Sequence, residues 1–116
     1  MNELELAADF INKGMEISNQ LNDRLTIADV YKVKGIVERK LKNYDLSESY
    51  LQTSLRINSE LGNKLNHSET SFELGVLYSE INQSKKASRY LNIALKYFSK
   101  IKAISEIEKI KNLLEN

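Results

Sequence analysis

The 116 residues are 41% hydrophobic and 28% charged with a formal net charge of +1, the composition of one ordinary soluble domain, long enough for one core and too short for two. The absence of cysteine excludes disulfides and thiolate metal sites, and near-neutrality excludes the long-range field that steers nucleic acid or a membrane surface toward a protein. No proline and only four glycines interrupt the chain, which favours helices throughout.

In chain order, Met1 is followed by Asn2-Glu3-Leu4-Glu5, neither a basic nor an apolar leader, so no secretion signal is expected. No apolar run approaches the roughly 20 residues that span a bilayer. Leu4, Ala7, Ala8, Ile11, Met15 and Ile17 recur at three- and four-residue spacings and predict a helix over about 4–20, ended by Asn22-Asp23. A second helix is expected over about 24–42 on Ile27, Val30, Tyr31, Val37 and Leu41, capped by Thr26 with Asp29. After a turn at Asn43-Tyr44-Asp45, with Asp45 and Glu48 as a cap, a third runs over about 46–60 through Leu51, Leu55 and Ile57. Leu61-Gly62-Asn63 is the clearest stop, because glycine accepts the left-handed backbone that ends a helix. The fourth spans about 65–82 with Leu74, Leu77, Tyr78 and Ile81, and Ser84 is expected to cap the fifth, about 85–100, with Ala87, Leu91, Ala94, Leu95 and Phe98. The last segment, about 103–115, carries Ile104, Ile107, Ile110, Leu113 and Leu114, the most apolar helix face in the chain.

Rows begun at Glu5, Asp45 and Lys85, 40 residues apart, align without a gap. Leu6 answers Leu46, Ile17 answers Ile57, Leu21 answers Leu61, Leu25 answers Leu65 and Gly35 answers Gly75. Phe10, Tyr50 and Tyr90 share a position, as do Leu55 with Leu95 and Leu74 with Leu114. Ungapped self-similarity at this period marks a stacked-repeat architecture. It divides a single 1–116 domain into a partial repeat over about 4–20, repeats over about 24–60 and 64–100, and a closing helix whose Glu106, Glu108, Lys109 and Lys111 supply a polar outer face.

Gly35 and Gly75 stand inside predicted helices, where glycine costs roughly 1 kcal/mol relative to alanine. The repeated cost implies a close helix–helix approach, for which Ala87 and Ala94 offer a small matching surface. Ser71, Leu74, Gly75 and Tyr78, followed by Ala87, Leu91 and Ala94, resemble the tetratricopeptide repeat in a longer-helix form than its usual period of about 34 residues. The likeness covers nearly the whole chain. In the first copy Tyr31 and Gly35 fit, whereas Lys34, Glu38, Ser47 and Ser54 depart from the pattern. Lys34 and Glu38, four residues apart, either form an ion pair or mark a slight rotation of the helix.

The resemblance implies an all-α fold of about six helices, antiparallel hairpins stacked as a right-handed superhelix (an α-α solenoid). It also implies that the first helix of each hairpin lines a concave groove for an extended or helical peptide. Counted from the two glycines, that groove presents Lys32, Ile36, Arg39 and Lys40, then Glu69, Phe72, Glu73, Val76, Ser79 and Glu80, with Ile36, Phe72 and Val76 as its apolar floor. The family's clamp for a C-terminal carboxylate has asparagine where Ile36 stands, and Glu73 replaces a neutral amide, so no such clamp is expected. The alternative is that these basic and acidic faces simply pair with each other, at roughly 0–1 kcal/mol per exposed pair.

Other candidates are weaker. His67, the only histidine, falls near a predicted turn without the spacing of a metal ligand and reads as a solvated loop residue. The carboxylates are scattered among lysines, giving no pair suited to acid–base catalysis, and no glycine-rich phosphate loop exists. Glu38 interrupts the basic run of Lys32, Lys34, Arg39, Lys40 and Lys42, and the spacing of Tyr44, Tyr50, Tyr90 and Tyr97 suits packing better than base stacking. These observations point to a non-catalytic, cytoplasmic protein–protein interaction module that binds a peptide or helix of a partner and needs no cofactor, metal, nucleic acid or membrane. The alternative is a self-association or regulatory segment of a larger repeat protein, dimerising through its terminal helices.

Overall fold

In the computed structural model, which describes residues 2–21 and 23–115, successive helices from the second onward begin at residues 24, 44, 64, 84 and 104. The backbone therefore repeats every 20 residues, half the period of the sequence. One turn geometry is responsible. Lys42, Gly62, Asn82 and Lys102 all take left-handed φ values, between 57° and 68°. The amide after each reaches back five residues: Asn43 to the Glu38 carbonyl, Asn63 to Asn58, Gln83 to Tyr78 and Ala103 to Phe98, at 2.8–3.0 Å. The left-handed residue itself donates three residues back, completing a Schellman closure that satisfies carbonyls otherwise left open at a helix end.

This closure explains where the helix bounds differ from those expected. The second helix stops at Lys40 because Lys42 is left-handed, and the third starts at Tyr44, so Asp45 lies inside its first turn and Asn43 occupies the cap position. Gln83 is likewise the cap residue of the fifth helix, and Ser84 is already helical. The second helix is capped by Asp23, not Thr26. Asp23 Oδ1 accepts from the amides of Leu25 and Thr26, and Thr26 Oγ1 donates to Oδ2 at 2.7 Å. Of the pair expected to end the first helix, Asn22 lies outside the described residues, and Asp23 opens the next helix.

The chain forms two compact units, Met1–Asn63 and Lys64–Asn116. In the first, α1 (Glu3–Leu21), α2 (Arg24–Lys40) and α3 (Tyr44–Leu61) follow one another, and α2 packs against both neighbours. α2 and α3 are antiparallel, since Ser47 near the start of α3 bonds Gly35 late in α2, and Ser54 further along bonds Ala28 further back. A Cβ added to Gly35 would stand 2.5 Å from Leu51 Cγ, so the glycine exists to admit that leucine, and the notch is filled by a large side chain instead of a small alanine-type surface. Gly14 of α1 admits Val30 of α2 in the same way. Ser47 and Ser54, which break the repeat pattern, are fully buried; their hydroxyls donate to the Gly35 and Ala28 carbonyls at 2.6 and 2.8 Å. Each thereby keeps the small size the position requires and pays the polar group's desolvation with a cross-helix bond.

The second unit contains α4 (Lys64–Glu80), α5 (Ser84–Lys100) and α6 (Ile104–Glu115). α5 packs against α4 and α6, and α4 also touches α6. Leu91 fills the Gly75 notch as Leu51 fills that of Gly35. Leu91, Ala94, Phe98 and Ile110 form the buried centre, with Phe72, Leu95, Tyr97, Ala103, Ile107, Leu113 and Leu114 packed around it. The apolar face of α6 is thus consumed within its own unit, and Glu106, Glu108, Lys109 and Lys111 are all exposed on the outside. Six helices and no strand occur among the described residues, and none of these helices is long and apolar enough to cross a membrane.

Candidate functional site

The residues expected to line a groove belong to α2 and α4, one first helix in each unit. On α2, Lys32, Ile36 and Arg39 are half-buried and Lys40 is exposed. Lys40 Nζ lies 3.1 Å from a Glu3 carboxylate oxygen of α1, an exposed pair that contributes little to stability. Lys34, also of this basic run, sets its ammonium 5.5 Å from the Tyr31 ring centre and 5.4 Å from that of Tyr50. Glu38, the partner expected for it, accepts instead from Asn43 Nδ2 at 2.7 Å. Lysine is therefore tolerated at this position because two tyrosine faces receive it.

The second unit solves the same packing problem with different residues. Tyr78 and Tyr90 stack with ring centres 5.6 Å apart, as Tyr31 and Tyr50 lie 5.8 Å apart in the first. Tyr50 and Tyr90 are equivalent, but Tyr31 and Tyr78 are not: in repeat register Tyr78 stands seven residues beyond Tyr31. Seven residues are nearly two turns, so both tyrosines lie on one helix face and meet the same partner ring. Tyr97 packs edge-on against Phe98.

On α4, Glu69, Phe72, Glu73, Val76 and Ser79 are half-buried and Glu80 is exposed. Phe72 packs against the Leu91–Phe98–Ile110 cluster, so it serves the core of its unit as well as the α4 surface. Val76, Ser79 and Glu80 come together at the C-terminal end of α4, where they line a cleft of about 560 Å³. Asn82 and Ser84 from the turn, Ala87, Ser88 and Leu91 from α5, and Leu113 and Leu114 from α6 complete its walls. The cleft pairs an apolar floor with hydroxyls, amides and one carboxylate at its rim, the mix that seats an apolar side chain while hydrogen-bonding a neighbouring backbone. Sequence reasoning identified the α4 wall and missed the α5 and α6 walls. The only hint was the repeat match of Leu114 with Leu74.

Perturbed titrating groups lie away from this cleft. The Glu60 carboxyl is held below its ordinary range by hydrogen bonds from Arg24 and then Arg56, whose Nη1 lies 3.2 Å away. Asp23 is lowered by the Thr26 hydroxyl and by backbone amides. His67 is not a loop residue: it sits in the first turn of α4, half-buried, and burial lowers its pKa. Among the described residues no group of three or more histidine, cysteine, aspartate or glutamate side chains is placed to hold a metal ion.

The model of the family described as Tetratricopeptide repeat matches residues 26–100, most of α2 through the end of α5. No curated protein matches the chain.

Proposed function

The chain belongs to the tetratricopeptide repeat family, and from that premise we propose that it is a non-catalytic protein–protein interaction module, a cytoplasmic scaffold that holds a peptide or helix of a partner on the faces of its first helices. Members of this family typically mediate protein–protein contacts. The observation that carries the finer reading is the cleft at the end of α4, where Val76, Ser79 and Glu80 meet Leu91, Leu113 and Leu114. Its size suits one or two large side chains, and Glu80 at the rim favours a partner with a cation beside its apolar anchor. On α2 the matching surface is formed by Ile36 with Lys32, Arg39 and Lys40.

The test begins with peptides selected from a displayed library against the full chain. Ser79→Trp places an indole in the cleft and is expected to weaken a selected peptide at least about tenfold, the scale of a blocked anchor pocket. Circular dichroism and the thermal midpoint confirm the fold. If folded Ser79→Trp keeps full affinity, the cleft is not the binding site. Dimerisation through α6 finds no support, because its apolar side packs on α5 and its outer side is charged.

A further inference from the structure

We propose that the outward face of α1 is a second docking site, separate from the α4 cleft, that takes a basic amphipathic helix of a partner protein lying antiparallel to α1. The internal repeat defines what this face is built to meet. Phe10, Ile11, Gly14 and Ile17 occupy the positions of Tyr50, Leu51, Ser54 and Ile57 in α3, and of Tyr90, Leu91, Ala94 and Tyr97 in α5. In both hairpins a first helix covers this face: Tyr50 meets Tyr31, Leu51 enters the Gly35 notch and Ser54 bonds Ala28, while Tyr90 meets Tyr78 and Leu91 enters the Gly75 notch. α1 has the residues of a second helix and packs on α2, but no helix precedes it.

The consequence is visible in exposure. Ile57 is 6% exposed, whereas its equivalent Ile17 is 45% exposed, with Phe10 at 43% and Leu6 at 55%. Leu6, Phe10 and Ile17 are spaced by four and seven residues and form one stripe on the helix. Exposed large apolar side chains on the other helices stand singly or at helix ends. A continuous apolar stripe of this kind marks an interaction surface.

Charge selects the occupant. α1 carries Glu3, Glu5, Asp9 and Glu16 against a single lysine, Lys13, which already lies 3.0 Å from Asp9. Two α1 helices laid together would oppose acid with acid, and the α6 end of another copy would set charged side chains on the apolar stripe, so a second copy fits poorly. A helix with an apolar stripe, a small residue opposite Ile11 and surplus cations fits well. α2 is the chain's own example, with Gly35 in its notch, five cations against two carboxylates, and Lys40 on Glu3.

The test uses the full chain and two synthetic peptides, residues 23–42 (basic) and 63–82 (acidic), read by fluorescence anisotropy and by amide hydrogen exchange. The basic peptide is expected to bind saturably, to slow exchange in α1 and to weaken with added salt, while the acidic one binds at least about fivefold less tightly. Phe10→Ser with Ile17→Ser alters side chains already largely in water, so the fold is retained; binding should fall at least about tenfold, and Phe10→Tyr should preserve it. Ser79→Trp should leave this binding unchanged. Unaltered α1 exchange, or binding indifferent to the Phe10 and Ile17 changes, overturns the proposal. Protection of α1 that rises with protein concentration and without peptide assigns the face to a second copy and overturns it equally.

Discussion

Gly75 offers the sharpest test of the packing logic, because the structure predicts that a change favourable to an isolated helix will conflict with its surroundings. Gly75→Ala should gain about 1 kcal/mol of helix propensity. The new Cβ, however, would lie 2.5 Å from both Cγ and Cδ2 of Leu91. Carbon atoms sit comfortably at about 3.5–4.0 Å, so the leucine must retreat by about 1 Å. Leu91 is 1% exposed and bounded by Ala94, Phe98 and Ile110, which leave it little room. Overpacking of this kind costs about 1–3 kcal/mol, which offsets the propensity gain or exceeds it by up to about 2 kcal/mol. Leu91→Ala alone should lose about 2–5 kcal/mol. In that background the clash is gone, and Gly75→Ala should stabilise by about 1 kcal/mol. Urea unfolding of the four proteins, followed by far-ultraviolet circular dichroism, gives the coupling directly, with an expected value of about 1–3 kcal/mol. The first repeat supplies an internal replicate in Gly35 and Leu51, where the added Cβ would meet Cγ and Cδ2 at 2.5 and 2.6 Å. A Gly75→Ala protein that is more stable by the full propensity gain, with no coupling to Leu91, would refute the notch.

Gly62→Ala isolates backbone conformation from packing, because no atom lies within 4 Å of the added Cβ; the left-handed φ alone should cost about 1–2 kcal/mol in urea unfolding. Conversely Lys42→Gly and Lys102→Gly, at φ 65° and 57°, should stabilise by about 0.5–1 kcal/mol each, and Asn82→Gly by less, because asparagine tolerates this region better. Ser47→Ala removes the buried hydroxyl that bonds Gly35 and should lose about 1 kcal/mol, whereas the equivalent Ala87→Gly tests helix propensity in the second unit and should lose a similar amount by a different route. Below neutrality two sets of groups act in the same direction. His67 has a folded pKa below its ordinary 6.5, so the unfolded chain takes up the proton first and stability falls as the pH drops through that value. Asp23 and Glu60 are lowered from 3.8 and 4.5, so their contribution is present above those values and is lost as the pH falls through the depressed folded ones. Unfolding midpoints measured from neutral to acid pH should therefore decline in two stages; His67→Gln should flatten the first and Glu60→Gln the second, and stability that rises on acidification would contradict both assignments.

What could be read from the residues follows from where each constraint lies. Gly35 and Gly75 were legible as close-approach sites because a helix-interior glycine is unfavourable on its own. Their partners were not, since whether Leu51 or Ser47 faces the notch depends on the hairpin register. Gly62 announced its left-handed turn, while Lys42, Asn82 and Lys102 did not, because the tertiary fold imposes that conformation on residues that do not favour it. Ser47 and Ser54 looked like departures from the repeat because an acceptor carbonyl on a neighbouring helix leaves no mark in the local sequence. In the candidate site, counting from Gly75 placed Val76, Ser79 and Glu80 on the correct face. Leu113, Leu114 and Ser88 required knowing where the last turn of α6 ends against α5.

The two periods of the chain also constrain how such an array can be extended. Turns at 42, 62, 82 and 102 are geometrically equivalent, so the backbone alone would accept growth by a single helix of 20 residues. The side chains would not. A 20-residue shift would set Gly35 in register with Leu55 and Leu51 with Ser71, exchanging helices that offer a notch for helices that fill one. Two notch-bearing helices in succession would leave a void, and two filling helices would clash, so the favourable unit of growth is the 40-residue pair. An array that opens on a filling helix therefore has a face of defined complement, one that only a notch-bearing helix completes. α1 is such a helix, and its exposed Phe10 and Ile17 follow from that parity.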